Sequence, residues 1–215
     1  MSIIPVVTTP TIAIDGSSAR FPIRRIFCVG QNYADHAREM GADPDRAPPF
    51  FFTKPADAVV PSGSTLPFPT RTADLHHEVE LVVALGGGAT VIGCAVGLDL
   101  TRRDLQAEAK KAGRPWDMAK GFDRSAPIGL LTLGAPPADA AIELTIDGDL
   151  RQRGRLSDMI WSVEEIIVEL ATYVELRPGD LIFTGTPAGV GPIRPGETVR
   201  GAIEELEPVE VRFAG

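Results

Sequence analysis

Residues 76–85 read HHEVELVVAL, a strand-like apolar run that opens with two glutamates, Glu78 and Glu80, two positions apart. Side chains at i and i+2 of a strand share a face, so the two carboxylates are expected roughly 6–7 Å apart. Something must offset their repulsion. Downstream, after a glycine turn, the second apolar run VIGCAVGLDL (residues 91–100) is interrupted by Asp99, where a lone buried carboxylate is costly or stays protonated. One divalent cation held by all three groups answers both anomalies, and an all-oxygen donor set favours Mg²⁺ or Mn²⁺, with Ca²⁺ also able to occupy it. Equally, the glutamates can lie on a solvated face at the strand mouth while Asp99 caps the next helix. On these residues alone the two readings stand level.

Outward from this stretch, the 215-residue chain is 44% hydrophobic and 23% charged, as expected of a globular protein, and its 19 prolines and 22 glycines predict many turns and short strands. The expectation is a mixed α+β, β-rich fold in a single unit over residues 1–215, with residues 1–20 forming N-terminal strands and turns packed on it. TIAIDG runs from a strand into an Asp-Gly turn, and RIFCVG (25–30) is a strand. NYADHAREMG then switches to helical spacing, with Tyr33, His36, Ala37 and Met40 on one stripe and Gly41 as the stop. TRRDLQAEAKKAG (101–113) predicts a helix with Thr101 or Asp99 as N-cap and Gly113 as stop. AIELTIDGDLRQRG is a hairpin, and SVEEIIVELATYVEL is a helix capped by Ser162 or Ser157. RPGDLIFTGTPAGVG follows as a turn, a short strand and a glycine-threonine loop, before terminal strands.

The formal charge of −8 gives no general attraction for phosphate backbones or anionic lipid, so nucleic acid and membrane surfaces are poor partners. A small anionic substrate would need a local cluster of cations or a metal. Cys28 and Cys94 each sit in an apolar run without metal-type spacing, which predicts buried free thiols. MSIIPVVTTP lacks a basic segment before an apolar one, and no apolar run approaches the ~18 residues of a membrane span, so a cytoplasmic protein is expected.

Three further features can carry chemistry. His36 and Glu39 are i and i+3 on the short helix, so their side chains can meet; a carboxylate beside a histidine fixes its tautomer and raises its basicity, as a general base for water requires. The pair also suits an ordinary helix surface, although the shared stripe with Tyr33 turns His36 inward. Lys54 and Lys120, isolated in apolar or turn-rich surroundings, are either surface charges or holders of a carboxylate or enolate. The loop TGTPAGVG (184–191) offers backbone N–H groups and two hydroxyls, a nest for an anion, but lacks the Gly-Lys-Thr of a P-loop.

Taken in order, CVGQNYADHAREMG, FFTKPADAVVPSG, HHEVELVVALG, VGLDLTRRDLQAEAKKAGRPWDMAKGFDRSAPIG, DMIWSVEEII and LRPGDLIFTGTPAGVGP resemble the fumarylacetoacetate hydrolase family over nearly the whole chain. The E-x-E pair, D-x-T-x-R-D and TGTPxGVG carry the resemblance, which is strongest to bacterial fumarylpyruvate hydrolases and acylpyruvases. It implies a β-sandwich roll with short helices, a homodimer, and a Mg²⁺ or Mn²⁺ site at Glu78, Glu80 and Asp99. It implies catalytic roles for His36, Glu39 and Lys120, and substrate contacts for Arg103, Gln106 and Thr186; Lys54 is a further candidate substrate contact. The implied reaction is hydrolysis of a C–C bond in a 2,4-dioxo acid, most closely fumarylpyruvate. Oxaloacetate decarboxylation or dienoate isomerisation on the same site, and metal-dependent binding without catalysis, are the alternatives. The connection GGATVIG (87–93) is shorter than relatives usually have between the two strands.

Overall fold

Seven consecutive buried residues, Val79–Leu85, form the strand around which the molecule is built. A computed structural model describes residues 8–39 and 48–215. The strand pairs antiparallel with Val91–Leu98 on one side and with Asp180–Phe183 on the other, inside an eight-stranded sheet. Burial on both faces explains a run that reads apolar throughout instead of alternating. Beyond Asp180–Phe183 the sheet continues through Arg25–Gly30 to Phe50–Lys54, and beyond Val91–Leu98 through Ala126–Ile128 to Val59–Pro61.

The two faces are covered differently. Leu81, Val83, Leu85, Val96 and Leu98 pack with Ile142, Leu144, Val199, Val209 and Val211 of a five-stranded sheet, and with Ile166 and Leu170 of the Val163–Tyr173 helix. Val82, Ala84, Ala95 and Phe183 pack with Ile12 and Phe21 of the N-terminal strand pair Thr11–Ala13 and Arg20–Pro22, and with Ile23 just after it. Alternation along the strand assigns each residue its partner layer, and Glu80 shares the parity of Val82 and Ala84. The buried Asp180 accepts from Arg24, Arg25 and the Arg177 N–H, locking the start of its strand.

Several expectations are met residue for residue. Asp147 and Gly148, at φ 49° and 90°, turn the hairpin between Ala141–Ile146 and Asp149–Arg155. Ser162 caps the Val163–Tyr173 helix in a capping box with Glu165, and Gly113 ends Arg103–Ala112 in the left-handed conformation. Both cysteines are free and buried. No helix among the described residues is long and apolar enough to cross a membrane.

Others are corrected. HHEVELVVAL is not one strand: Leu75–His77 belongs to a separate three-stranded sheet with Gly191–Ile193 and Thr101–Arg102, and the chain changes sheets at Glu78. The Arg103–Ala112 helix uses neither Thr101 nor Asp99 as N-cap; Arg102 holds that position with no side-chain cap, because Asp99 and Thr101 are drawn inward. The short histidine-bearing helix spans Ala34–Glu39, while Met40, Gly41 and the Ala37 side chain lie outside the described residues. The short GGATVIG connection still closes a hairpin, through a turn at Gly87–Ala89.

Candidate active site

The hairpin register brings the acidic groups together. Val79 lies opposite Leu98 and Glu80 opposite Gly97, so Asp99 follows the strand end beside Glu78, and its N–H donates to the Glu78 carbonyl at 2.9 Å. All three carboxylates are buried, and one oxygen of each lies within 4.8 Å of the others. Such a cluster is stable only when compensated.

Three cations supply part of that compensation. Lys120 Nζ donates to Glu78 Oε2 at 2.8 Å and to Asp99 Oδ2 at 2.7 Å. The Arg103 guanidinium donates to Glu78 Oε1, to Gln106 Oε1 at 2.6 Å and to His76 Nδ1 at 3.3 Å. Lys54 Nζ sits 2.8 Å from Asp99 Oδ1, but its protons go to the carbonyls of Leu100, at 3.2 Å, and Lys120. Asp99 Oδ1 is therefore paired in charge yet accepts no hydrogen bond.

The glutamates respond in opposite directions. Burial opposes the charge on Glu78, but Lys120 and Arg103 outweigh it and hold that carboxyl well below the usual range. Burial, Asp99 and Glu78 push the Glu80 carboxyl well above it, against the Lys120 charge and the Gly185 N–H donated to Oε2 at 2.7 Å. Without a further cation the neutral form of Glu80 is favoured. A buried all-oxygen cluster with an Asp99 oxygen that accepts no hydrogen bond and a Glu80 whose ionisation is opposed by burial and by its acidic neighbours fits a hard divalent ion, and Glu78, Glu80 and Asp99 are the residues that would hold it.

The histidine faces the same space. His36 Nδ1 lies 3.3 Å from Glu39 Oε2, and the Glu39 carboxylate also accepts the Gly189 N–H at 3.2 and 3.3 Å, tying the short helix to the glycine loop. Gly189 needs its φ of +95°, and a Cβ there would come within 2.2 Å of the Arg151 carbonyl oxygen. His36, Glu78, Glu80, Asp99, Lys120, Arg103, Gln106 and Thr186 line one cavity, bounded also by Phe50, Phe52, Trp116 and Lys110. Lys54 is not in its wall. It stands behind Asp99, with its side chain fully buried, so the expected substrate contact becomes a support for the metal-ligand candidate.

Sequence reasoning missed Gln152 and Asn32. Gln152 is buried in an otherwise exposed hairpin arm; its Nε2 donates to Thr186 Oγ1 and Pro187 O, and its Oε1 accepts from Val79 N and pairs with His77 Nδ1 at 3.0 Å. Thr186 in turn donates to Val79 O, so this amide ties the glycine loop to the carboxylate strand. Asn32 joins the start of the glycine loop, at the Thr184 carbonyl, to the Trp161 backbone. The one available signal was a polar residue at an inward position of an alternating strand.

Burial lowers the His77 pKa from its ordinary 6.5 to about 4, against the bond to Gln152, so its neutral ring donates Nδ1–H to the amide oxygen. The unfolded chain takes up this proton first as pH falls. His77 thus contributes stability that is intact above about pH 6.5 and is lost as pH drops towards 4, by about 2 kcal/mol between pH 7 and 5. Urea unfolding of wild type and His77→Asn across that range checks this; equal pH slopes for the two proteins would refute it.

The chain is similar to known proteins over most of its length. A family model described as fumarylacetoacetate (FAA) hydrolase C-terminal matches residues 25–214. The crystal structure of fumarylpyruvate hydrolase from Pseudomonas aeruginosa, in complex with Mn²⁺ and pyruvate, superposes with a TM-score of 0.95 at 49% identity, covering 100% of this chain and 99% of that one. The mitochondrial oxaloacetate tautomerase of Mus musculus is 40% identical over 88% of this chain and 90% of its own length. The oxaloacetate tautomerase of Escherichia coli is 37% identical over 85% and 89%.

Proposed function

The chain belongs to the fumarylacetoacetate hydrolase family, and on that premise we propose that it is a metal-dependent hydrolase of 2,4-dioxo acids, with fumarylpyruvate as first candidate, yielding pyruvate and fumarate. The observation that carries this reading is a histidine–carboxylate pair facing the same cavity as a three-carboxylate cluster and a buried lysine. The charges agree with an anionic substrate. Three carboxylates (Glu78, Glu80, Asp99) against three cations (Lys54, Lys120, Arg103) are neutral when all are ionised, so a divalent ion leaves two positive charges for a dianion.

When bound, Mg²⁺ or Mn²⁺ supplies a Lewis acid that draws electron density from the substrate's carbonyl. The protein's residues do the rest. Glu39 accepts from Nδ1–H and leaves Nε2 as the basic nitrogen, which takes a proton from water as its oxygen attacks the 4-oxo carbon. The bond between C3 and C4 then breaks, its electron pair passing to the pyruvate enolate, and His36 Nε2–H returns the proton to C3. Lys120, fixed by two carboxylates in a buried site, opposes the negative charge that develops. Arg103 and Gln106, held to each other, orient the pyruvyl end, and Thr186 fixes the opposite wall. The assembly proposed is a homodimer in the cytoplasm.

A second reading draws on the relatives named oxaloacetate tautomerase. The same histidine can move a proton between carbon and enol oxygen with no attacking water. Pyruvate release from fumarylpyruvate, maleylpyruvate, acetylpyruvate and oxaloacetate, run beside enol-to-keto conversion of oxaloacetate with added Mg²⁺ or Mn²⁺, separates the two. We expect pyruvate release from fumarylpyruvate to dominate. Conversion of oxaloacetate alone, with no acylpyruvate cleaved, would replace the hydrolase reading by the tautomerase one.

A further inference from the structure

Of the cations around the cavity, Lys54, Lys120 and Arg103 are all committed to Glu78 or Asp99. Lys110 also lines it, and among the described residues it has no carboxylate partner. Its Nζ lies 5.0 Å above the Trp116 ring, at the aromatic side of the cavity where Phe50 and Phe52 stand. Burial and Arg103 hold its ammonium below the usual lysine range, a local excess of positive charge that an anion would relieve.

Arg103, Gln106 and Lys110 stand at i, i+3 and i+7 of the Arg103–Ala112 helix, on one face. At 1.5 Å per residue the first and last are roughly 10 Å apart along the axis. An extended seven-carbon dicarboxylate spans roughly 7.5 Å between its carboxylate carbons over six C–C bonds, whereas a four-carbon one spans only about half that. Side chains reaching towards each other cover the remainder. A substrate whose pyruvyl end sits at Glu78, Arg103 and Gln106 therefore extends along this face, and a second carboxylate arrives at Lys110.

We propose that Lys110 is the specificity-determining residue that selects acylpyruvates carrying a distal carboxylate, with Trp116 holding its side chain in place. This rests on the acylpyruvate reading and adds to it which acyl groups are preferred. Chain length and charge act together: oxaloacetate is too short to span the two ends, and acetylpyruvate has no second carboxylate.

The test compares wild type, Lys110→Met, Lys110→Arg and Arg114→Gln, all with saturating Mn²⁺, on fumarylpyruvate and acetylpyruvate. Lys110→Met is expected to lower kcat/KM for fumarylpyruvate about ten- to a hundred-fold, mainly through KM, and to change it less than about three-fold for acetylpyruvate. Lys110→Arg is expected to restore most of the loss. Equal losses on both substrates would leave Lys110 only a structural partner of Trp116, and a loss confined to Arg114→Gln would move the carboxylate to Arg114, in the adjoining groove lined by Phe51, Thr53 and Trp116; either overturns the proposal. Calorimetric binding of the same two compounds to the Mn²⁺-loaded proteins separates this from failure of the hydrolase reading. Lys110-dependent binding of fumarylpyruvate without turnover sinks only the latter, and Lys110-independent binding sinks the former.

Discussion

Glu80→Gln is expected to fold as well as the metal-free wild type while losing divalent-cation binding, and turnover with it, by a factor on the order of a thousand. The substitution is close to isosteric with the protonated carboxyl that burial, Asp99 and Glu78 enforce, and the amide oxygen can still accept the Gly185 N–H. What it removes is the ability to ionise when a cation arrives. Asp99→Asn is a poorer probe, because it strips buried Lys54 and Lys120 of their counter-charge and costs about 3–5 kcal/mol of stability besides. In wild type, Mn²⁺ at a hundred times its Kd raises stability by about 2.7 kcal/mol. In Glu80→Gln that increment is expected to vanish.

The sign of the pH dependence follows. The Glu80 carboxyl titrates above its unfolded value of 4.5, so the folded metal-free protein holds a proton that the unfolded chain has released. Its contribution to stability is complete below 4.5 and declines as pH rises through the folded pKa; Mn²⁺ displaces the proton, so affinity increases with pH over the same interval. Calorimetry in buffers of different ionisation enthalpy measures the released proton. Equal Mn²⁺ stabilisation and equal proton release in both proteins would remove Glu80 from the ligand set.

His36→Gln addresses the chemistry instead of the metal. It is expected to lower acylpyruvate hydrolysis by about 10²–10⁴-fold, the usual contribution of a positioned base, with Mn²⁺ affinity within a few-fold of wild type. Glu39→Gln should follow with a smaller loss, since the Gly189 N–H still has an oxygen to meet while the histidine loses its anionic partner. Single-turnover kinetics with metal binding measured on the same samples provide the check. Hydrolysis within ten-fold of wild type in His36→Gln would exclude it as the base, and retained oxaloacetate conversion beside lost hydrolysis would show that only the water-dependent step needs it.

Much of this was legible before any coordinates. The E-x-E pair, Asp99 in an apolar run, the His36–Glu39 spacing, the Asp-Gly hairpin and the Ser162 capping box are local signals whose physics acts within a few residues. The resemblance then tied them to one family. Sequence shows that Lys54 stands in an apolar run but not which side of Asp99 it approaches. Lys110 went unnoticed because a lysine on an exposed helix face is ordinary until the partners of every neighbouring cation are known.

Sequence by itself therefore determined the strand-rich character, the turns and the two anomalies at Glu78–Glu80 and Asp99, since period, turn chemistry and burial cost are properties of short segments, while the resemblance joined the three acidic groups into one expected site. Only the tertiary structure decided that the chain changes sheets at Glu78, that Gln152 binds the glycine loop to the carboxylate strand across 34 positions, and that Lys120 and Arg103 favour the ionised form of Glu78 while burial, Asp99 and Glu78 disfavour that of Glu80. Those outcomes depend on distances between residues far apart in the chain, and a carboxylate's charge is set by the neighbours that folding brings to it.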